Sequence, residues 1–173
     1  MNEIKKGNER TDLEISNKQF EIILKFCLIA GIIIVSGFII YYILTPEPGY
    51  TTFGILNEDQ KAENYPTEAS VNETIYFYVT VENHLNREFS FRIEILKGNN
   101  QTIVNSSGSI NALSYYNTTK TSLMNNQFWI SNKLNISFSQ PGANQRLIVE
   151  LWEVKDEIEV YNNILYLWLN ITN

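Results

Sequence analysis

Side chains that could carry nucleophilic, acid–base or metal chemistry are few and scattered in this chain. His84 is the only histidine among 173 residues, and Cys27, the only cysteine, lies inside a long apolar run. A zinc site, or a Cys-His or Ser-His pair, requires several such groups close together. The sequence also lacks a glycine-rich phosphate loop. It therefore predicts neither a metal site nor a bound cofactor.

Carboxylates are more numerous, and some of them form two short clusters. Glu58-Asp59 and Asp156-Glu157-Glu159 offer oxygen ligands, but without the spacing of known calcium loops. Paired carboxylates can hydrolyse glycosides, yet a small domain of β-strands offers no deep cleft for them. We interpret Trp129, Trp152 and Trp168 as core or sheet-edge residues, not as a sugar-stacking platform. The expectation is a non-enzymatic protein, and a small surface enzyme is the least favoured alternative.

The apolar run predicts a helix that crosses a membrane once. Its sequence, "FCLIAGIIIVSGFIIYYIL", covers residues 26–44 without a charge. As a helix it would rise about 28 Å, close to the hydrocarbon thickness of a bilayer. A buried core helix would show a polar stripe, and a signal peptide would be shorter, with a small-residue cleavage site. We assign residues 21–45 to a transmembrane signal anchor.

Basic residues indicate the orientation of this anchor. Its N-terminal side carries Lys5, Lys6, Arg10, Lys18 and Lys25, whereas Lys61 is the only basic residue in the 20 positions after it. Because Lys and Arg stay preferentially on the cytoplasmic side, we expect a cytoplasmic N-terminus and an extracytoplasmic C-terminal part, at the cell membrane. Residues 1–20 are expected to form a disordered cytoplasmic tail, and residues 46–50 a linker.

The composition after the anchor is acidic and rich in glycosylation triplets. Residues 46–173 contain 8 basic and 14 acidic side chains, which argues against a nucleic-acid partner. N-x-S/T triplets, the acceptors of N-glycans, occur only in this part. They begin at Asn72, Asn100, Asn105, Asn117, Asn135 and Asn170. Asn135 and Asn170 lie in predicted strands, so we do not expect every triplet to carry a glycan.

Apolar residues in this part recur with a period of two. "TIYFYVTVEN" places Ile75, Phe77, Val79 and Val81 on one face, and "FSFRIEIL" repeats the pattern from Phe89. "LNISF", "RLIVELWEV" and "NILYLWLNIT" continue it between turn residues. About seven to eight short strands predict an all-β domain over residues 51–173, an immunoglobulin-like antiparallel β-sandwich. Because this domain has no cysteine, its stability must come from a hydrophobic core.

Three segments also carry a family resemblance. "LNEDQKAENYPTEASVNETIYFYVTVENH", "PGANQRLIVELW" and "VYNNILYLWLNIT" have the order and spacing of an archaeal membrane-protein family. Over nearly all of residues 50–173 the chain resembles this family, known as domain of unknown function 1616. The resemblance implies an extracytoplasmic β-sandwich that follows a transmembrane helix. Asparagine replaces the family's glycines in two turns, within "NEDQ" (57–60) and at Asn72, and we expect it to keep their left-handed geometry.

The loop "KAENYP" has two interpretations. The proline forces an extended residue before it, and Tyr65 can then cover the core with its hydroxyl on a backbone group. We favour this structural role. The alternative is a recognition surface built on Lys61, Glu63, Asn64 and Tyr65.

Two functional hypotheses remain. The favoured one is a single-pass protein of the archaeal cell surface, whose sandwich acts as an interaction or structural module for a protein partner or a second copy. The other is a non-catalytic accessory subunit of a multi-subunit membrane complex, for example in protein secretion or N-glycosylation. Ala30 and Gly37 lie seven residues apart on one helix face that could admit a partner helix, although small residues are common in membrane helices.

Overall fold

The computed structural model describes the backbone of residues 3–45 and 48–173, and the side chains of residues 18–45 and 48–173. This part of the chain forms one helix, α1 (Glu3–Leu44), and twelve strands. The strands are β1 (Tyr50–Leu56), β2 (Glu68–Ser70), β3 (Ile75–His84), β4 (Phe89–Gly98), β5 (Ile103–Asn105), β6 (Gly108–Ile110), β7 (Leu113–Asn117), β8 (Thr121–Leu123), β9 (Gln127–Ile130), β10 (Leu134–Ile136), β11 (Gly142–Lys155) and β12 (Ile158–Thr172). Two compact units result, Met1–Glu47 and Pro48–Asn173.

The helix contains a segment with the length and composition of a membrane span. Lys18–Leu44 comprises 27 residues, none of them buried, and rises about 40 Å. The helix begins earlier than predicted. Residues 1–20 were expected to form a disordered tail, but the chain is helical from Glu3. These residues contain no proline and are rich in Glu, Lys and Arg, which favour helix. Residues 1 and 2, and linker residues 46 and 47, lie outside the described part.

The second unit is a β-sandwich of two sheets. In the smaller sheet, β3 pairs with β1 on one side and with β9 and β10 on the other. The larger sheet has the order β2–β12–β11–β4, and both β7 and β8 pair with the remaining edge of β4. A small hairpin, β5–β6, stands apart from both sheets. Adjacent strands are antiparallel except β2 and β12, which are parallel. The predicted antiparallel β-sandwich is therefore confirmed, and this parallel pair is the one departure from it in the described part.

The core forms where the alternating faces of the two sheets meet. Phe77, Val79 and Val81 of β3 are at most 2% exposed, and Phe91 and Ile93 of β4 are fully buried. The predicted alternation of these strands is therefore confirmed. Each large apolar side chain buried in this way stabilises the fold by about 1.5–3 kcal/mol. This core holds the sandwich together, since the only cysteine of the chain lies in α1.

The strand count and one domain boundary differ from the prediction. Seven to eight strands were expected, and the described part contains twelve, because β2 was not predicted and residues 102–130 form five short strands instead of one or two. These strands have three to five residues and mostly exposed side chains. An alternating pattern needs a longer segment to be recognised. β1 begins at Tyr50, which the sequence analysis assigned to the linker.

Candidate functional site

A buried asparagine fixes the loop that follows β1. Asn57 Oδ1 accepts hydrogen bonds from the backbone N–H groups of Asp59 (3.0 Å) and Lys61 (2.9 Å). Its Nδ2 donates to the carbonyl oxygen of Glu63 at 2.8 Å, and its own N–H donates to the carbonyl oxygen of Lys61 at 2.9 Å. One side chain thus ties three positions of the loop together. The loop has a defined shape even though most of its side chains are exposed.

Left-handed backbone occurs in both turns where asparagine was expected to replace glycine. Asn72 has φ of 65°, which confirms the prediction for that turn. In "NEDQ" the left-handed residue is Gln60, with φ of 62°, and not Asn57. The contribution of Asn57 to this turn is made by its side chain, which bonds the loop. Asn64, with φ of 51°, provides a further left-handed position in this loop.

Tyr65 lies beneath the loop and packs against the core. Its hydroxyl donates a 2.6 Å hydrogen bond to the carbonyl oxygen of Ile55 in β1, and burial raises the pKa of Tyr65. The structural role predicted for this tyrosine is thereby confirmed. Of the four residues named as a recognition surface, Lys61, Glu63 and Asn64 line one cleft, and Tyr65 does not.

This cleft, which we call the acidic cleft, lies between the β1–β2 loop and the β2–β3 turn and has a volume of about 350 Å³. Its lining contains five carboxylates and one cation. They are Glu58, Asp59, Glu63, Glu68, Glu73 and Lys61. β2 and the turn after it bring Glu68 and Glu73 to the cleft. The parallel pairing of β2 with the end of β12 fixes Glu68 opposite Asn170. Glu68 and Glu73 were not predicted from the sequence as part of a site, since that pairing joins segments far apart in the chain.

Only part of this negative charge is balanced locally. Lys133 Nζ lies 2.5 Å from Glu58 Oε1, and this hydrogen bond raises the pKa of Lys133. The ion pair between Lys61 and Glu63 is 3.9 Å long and well exposed, so it contributes little. Asp59 and Glu68 have no ion-pair partner among the described residues. The acidic cleft therefore presents negative charge on a rigid frame.

A second network supports the rim of the acidic cleft. Glu73 Oε2 accepts a 2.6 Å hydrogen bond from the N–H of Ser70, and the N–H of Glu73 donates to the carbonyl oxygen of Ser70 at 3.0 Å. The N–H of Asn72 donates to the carbonyl oxygen of Phe138 at 2.8 Å. These bonds hold the β2–β3 turn against the rest of the sandwich. Both walls of the cleft are thus fixed by hydrogen bonds.

The six triplet asparagines occupy different environments. Asn72, Asn100, Asn105, Asn117 and Asn135 are exposed, and Asn170 is half-buried. Asn135 and Asn170 lie in β10 and β12 as predicted, and Asn117, the last residue of β7, accepts a hydrogen bond from Arg92. Whether any of them carries a glycan stays a prediction.

The helix face named by the sequence analysis is exposed in α1. A Cβ atom added at Gly37 would meet nothing within 4 Å, and Ala30 is also exposed. Gly37 lies in a shallow apolar groove with Ile33, Phe38 and Tyr41. Contact of this face with a partner helix stays a prediction.

The remaining candidates for chemistry lie apart from the acidic cleft. His84 is the last residue of β3 and hydrogen-bonds Glu82 (3.2 Å) and Asn126 (3.1 Å). The hydrogen bond to Glu82 is the main cause that raises the pKa of His84. Among residues 3–45 and 48–173, no three His, Cys, Asp or Glu side chains form a group that could hold a metal ion.

The three tryptophans divide between core and surface. Trp129 packs edge-to-face on Phe91, with ring centroids 5.3 Å apart. Trp152 donates to Glu150 Oε2 at 3.2 Å. Trp168 is 43% exposed on β12. Trp129 packs against the core as predicted, whereas Trp152 is half-buried on the central strand β11 and Trp168 faces solvent, which the sequence did not indicate.

Comparison with known proteins identifies a family and a set of similar scaffolds. The family model described as "Domain of unknown function (DUF1616)" matches residues 45–170. A comparison with curated proteins found no match. The CARDB domain of a Pyrococcus furiosus protein, solved in complex with di-metal ions, is 17% identical, with a TM-score of 0.46 over 75% of this chain and 93% of that chain.

Two further solved structures match this chain to a similar degree. A β-glucosidase of Erythrobacter marinus is 8% identical, with a TM-score of 0.44 over 72% of this chain and 16% of that enzyme. The sporulation control protein Spo0M of Bacillus subtilis is 7% identical, with a TM-score of 0.42 over 70% of this chain and 50% of that protein. These similarities concern the scaffold alone.

Proposed function

This chain belongs to the DUF1616 family, and we propose that it is a non-enzymatic, single-pass membrane protein whose extracytoplasmic sandwich holds a protein partner at the archaeal cell surface. The acidic cleft is the proposed contact site. Its partner would present a cationic segment, rich in Lys or Arg, that complements the five carboxylates. The cleft is the observation on which this proposal depends.

The membrane part of the proposal has two supports. The segment Lys18–Leu44 is long and apolar enough to span a bilayer. The excess of Lys and Arg before it favours a cytoplasmic N-terminus. An epitope tag at each end, tested for protease access in intact cells, measures this orientation. Cleavage of the C-terminal tag alone is expected, and cleavage of the N-terminal tag alone would contradict it.

The binding part of the proposal follows from charge and rigidity. Asp59 and Glu68 have no ion-pair partner among the described residues, so a cation that approaches them gains attraction without breaking an existing pair. Because Asn57 and the β2–β3 turn fix both walls, little conformational entropy is lost on binding. A charged cleft of this kind steers a partner of opposite charge and selects against acidic ones.

The absence of enzymatic activity is part of the same proposal. The charged groups of the acidic cleft are five carboxylates and Lys61, all of them exposed. A catalytic acid or base at neutral pH usually needs burial or a close charge that tunes its pKa. Binding of a cationic group makes no such demand. A contact surface is therefore the simpler role for these residues.

The accessory-subunit hypothesis is the second candidate, and exposure of Gly37 in α1 favours it. A small residue lets another helix approach closely within a membrane. The two candidates place the partner on different parts of the chain, so variants of each part separate them.

Purification of the tagged full chain in mild detergent, with mass spectrometry of bound proteins, tests the proposal. The cleft variant combines Asp59→Asn, Glu63→Gln and Glu68→Gln. A matched control, Glu88→Gln with Asp156→Asn and Glu157→Gln, removes the same charge elsewhere. We expect a stoichiometric partner with the wild type and the control, and at least a tenfold loss with the cleft variant.

Two outcomes would redirect the proposal. Equal recovery of the partner with the cleft variant would exclude the acidic cleft as its site. Loss of the partner with Ala30→Leu and Gly37→Leu, and not with the cleft variant, would favour the accessory subunit that docks through α1.

A further inference from the structure

β12 presents a long strand edge without a partner strand. On one side it pairs with β11 along its length, and on the other it pairs with β2 only at Asn170–Thr172. From Ile158 to Leu169 no strand of the described part pairs with this edge. Residues 160–169 contain no charge and no proline. Soluble domains usually protect such edges with lysine, proline or a cover, because an unprotected edge pairs readily with another strand.

The backbone groups of this edge follow a regular pattern around Tyr166. The N–H of Asn170 points away from β11, since it donates to the carbonyl oxygen of Thr67 at 2.8 Å. Alternate residues of a strand direct their N–H and C=O groups to the same side. The backbone N–H and C=O groups that point to the open edge are therefore those of Ile164, Tyr166 and Trp168. A bulge opposite Leu151 and Trp152 interrupts the regular pairing before this stretch.

Apolar side chains flank the open edge on the outer face of the sheet. Tyr166 and Trp168 are 46% and 43% exposed and pack edge-to-face, with ring centroids 6.0 Å apart. The guanidinium of Arg146 lies 3.8 Å from the ring centroid of Trp168. These side chains are accessible to another strand that lies beside β12.

The inner side of the edge opens onto a second cleft. Leu165 and Leu167 line it from β12, and Phe53, Ile55 and Tyr65 line it from β1 and the loop. The cleft has a volume of about 310 Å³ and is mostly apolar. Its leucines are only half-buried, so the core of the sandwich is incompletely covered here.

We propose that a second copy of the chain docks on this edge, with the β12 strands of the two copies antiparallel about a two-fold axis at Tyr166. In this register Tyr166 faces its counterpart, and Ile164 of each copy faces Trp168 of the other. Every outward N–H of these residues then meets a C=O of the other copy. β2 and the bulge confine the pairing to residues 164–168.

Two properties of the edge favour a second copy over an unrelated strand. First, the outward groups are distributed symmetrically about one residue, which is what a two-fold antiparallel contact requires. Second, the domain is acidic but this stretch is uncharged, so two copies meet without bringing carboxylates together. Leu165 and Leu167 of each copy also cover the apolar cleft of the other, since their side chains lie on the inner side of the joined sheet.

The interface is short, so this inference rests on the proposed function, in which α1 anchors both copies in one membrane. Two copies held in one membrane meet at a high effective concentration, which strengthens a weak contact without adding new ones. The experiment is therefore done with the full chain in membranes.

Disulfide trapping tests the contact directly. In a Cys27→Ser background, Tyr166→Cys places a thiol at the two-fold axis, where paired Cα atoms lie about 5.5 Å apart, within the range of a disulfide. Tyr116→Cys on β7 is the matched control, because Tyr116 is 48% exposed at the other edge of the same sheet. We expect oxidation of the membranes to cross-link at least fivefold more of the Tyr166→Cys chain into dimers. Equal yields, or a cross-link to a different protein, would overturn the proposal.

A second measurement uses charge instead of a thiol. Tyr166→Lys brings two lysines together at the axis, whereas Tyr116→Lys does not. Energy transfer between differently labelled full chains in lipid vesicles should be the same for the wild type and for Tyr116→Lys, and should be lost for Tyr166→Lys. No transfer for the wild type, or transfer lost with Gly37→Leu instead, would contradict the proposal.

The membrane fraction separates this inference from the proposed function. A chain that cross-links at residue 166 but is found outside the membrane fraction would refute the anchor and support the dimer. A chain that is anchored, keeps its cationic partner and does not cross-link would refute the dimer alone.

Discussion

Removal of the Asn57 side chain should loosen the loop that shapes the acidic cleft. Asn57→Ala deletes three hydrogen bonds, to the N–H groups of Asp59 and Lys61 and to the carbonyl oxygen of Glu63. Each such bond contributes a net of about 0.5–1.5 kcal/mol, so the upper limit for three bonds is about 4.5 kcal/mol. Water can reach part of this loop after the change, which lowers the expected loss of unfolding free energy to about 2 kcal/mol.

Tryptophan fluorescence during thermal unfolding measures this loss. All three tryptophans lie in the sandwich, so the signal reports on that unit and not on α1. For a domain of this size about 2 kcal/mol corresponds to a melting temperature lowered by roughly 6–10 °C. The matched control is Asn132→Ala, because Asn132 is exposed in the turn between β9 and β10, and it should change the unfolding free energy by less than about 0.5 kcal/mol.

Asn57→Asp separates the two roles of this side chain. A carboxylate still accepts from the N–H groups of Asp59 and Lys61, but it cannot donate to the carbonyl oxygen of Glu63. The new carboxylate also lies among the five carboxylates of the acidic cleft, which repel it. We therefore expect Asn57→Asp to be less stable than the wild type. An Asn57→Ala or Asn57→Asp chain that melts with the wild type would refute the reasoning that this amide organises the loop.

Three further predictions concern single positions. Tyr65→Phe removes the hydroxyl bond to the β1 carbonyl and should lower the unfolding free energy by about 1 kcal/mol in the same assay, and an unchanged midpoint would contradict this. Gly108→Ala should destabilise by about 1–3 kcal/mol, because Gly108 has φ of 106° and an added Cβ would lie 3.1 Å from the ring of Trp152. His84 has a raised pKa, so its contribution to stability is present below its unfolded pKa of about 6.5 and is lost as the pH rises through the folded value. Glu82→Gln should lower the His84 pKa in an NMR titration, and no change would exclude Glu82 as the cause.

The long strands were predictable from sequence because burial imposes alternation along them. β3 and β4 show this most clearly, with Phe77 and Phe91 buried and their neighbours facing out. β2 was not predictable, since three residues carry no pattern and its partner is the end of β12, about a hundred residues away. The strands β5 to β9 were not predicted individually, because they are short and their side chains are mostly exposed.

The candidate site was predictable only in part. The proline after Tyr65 restricts the backbone there, so a structural role for this tyrosine followed from the sequence alone. Asn57 was not recognised, because the bonds that make it important depend on how the loop folds back on itself. Glu68 and Glu73 belong to the acidic cleft through the pairing of β2, which is a tertiary contact. The role of a single residue could therefore be predicted from its neighbours in the sequence, whereas contacts between distant segments could not.

The position of β11 and β12 in the larger sheet bears on how the protein is made. These two strands lie between β2 and β4 in space, but the ribosome synthesises them after every other strand of the sandwich. β4 keeps one edge unpaired during that interval, because β11, the strand that pairs with this edge, does not yet exist. A two-residue turn at Asp156-Glu157 joins β11 to β12, so the hairpin can form quickly once it emerges. Folding of the sandwich therefore waits for this hairpin, and the incomplete chain is the stage at which the protein most needs protection from aggregation.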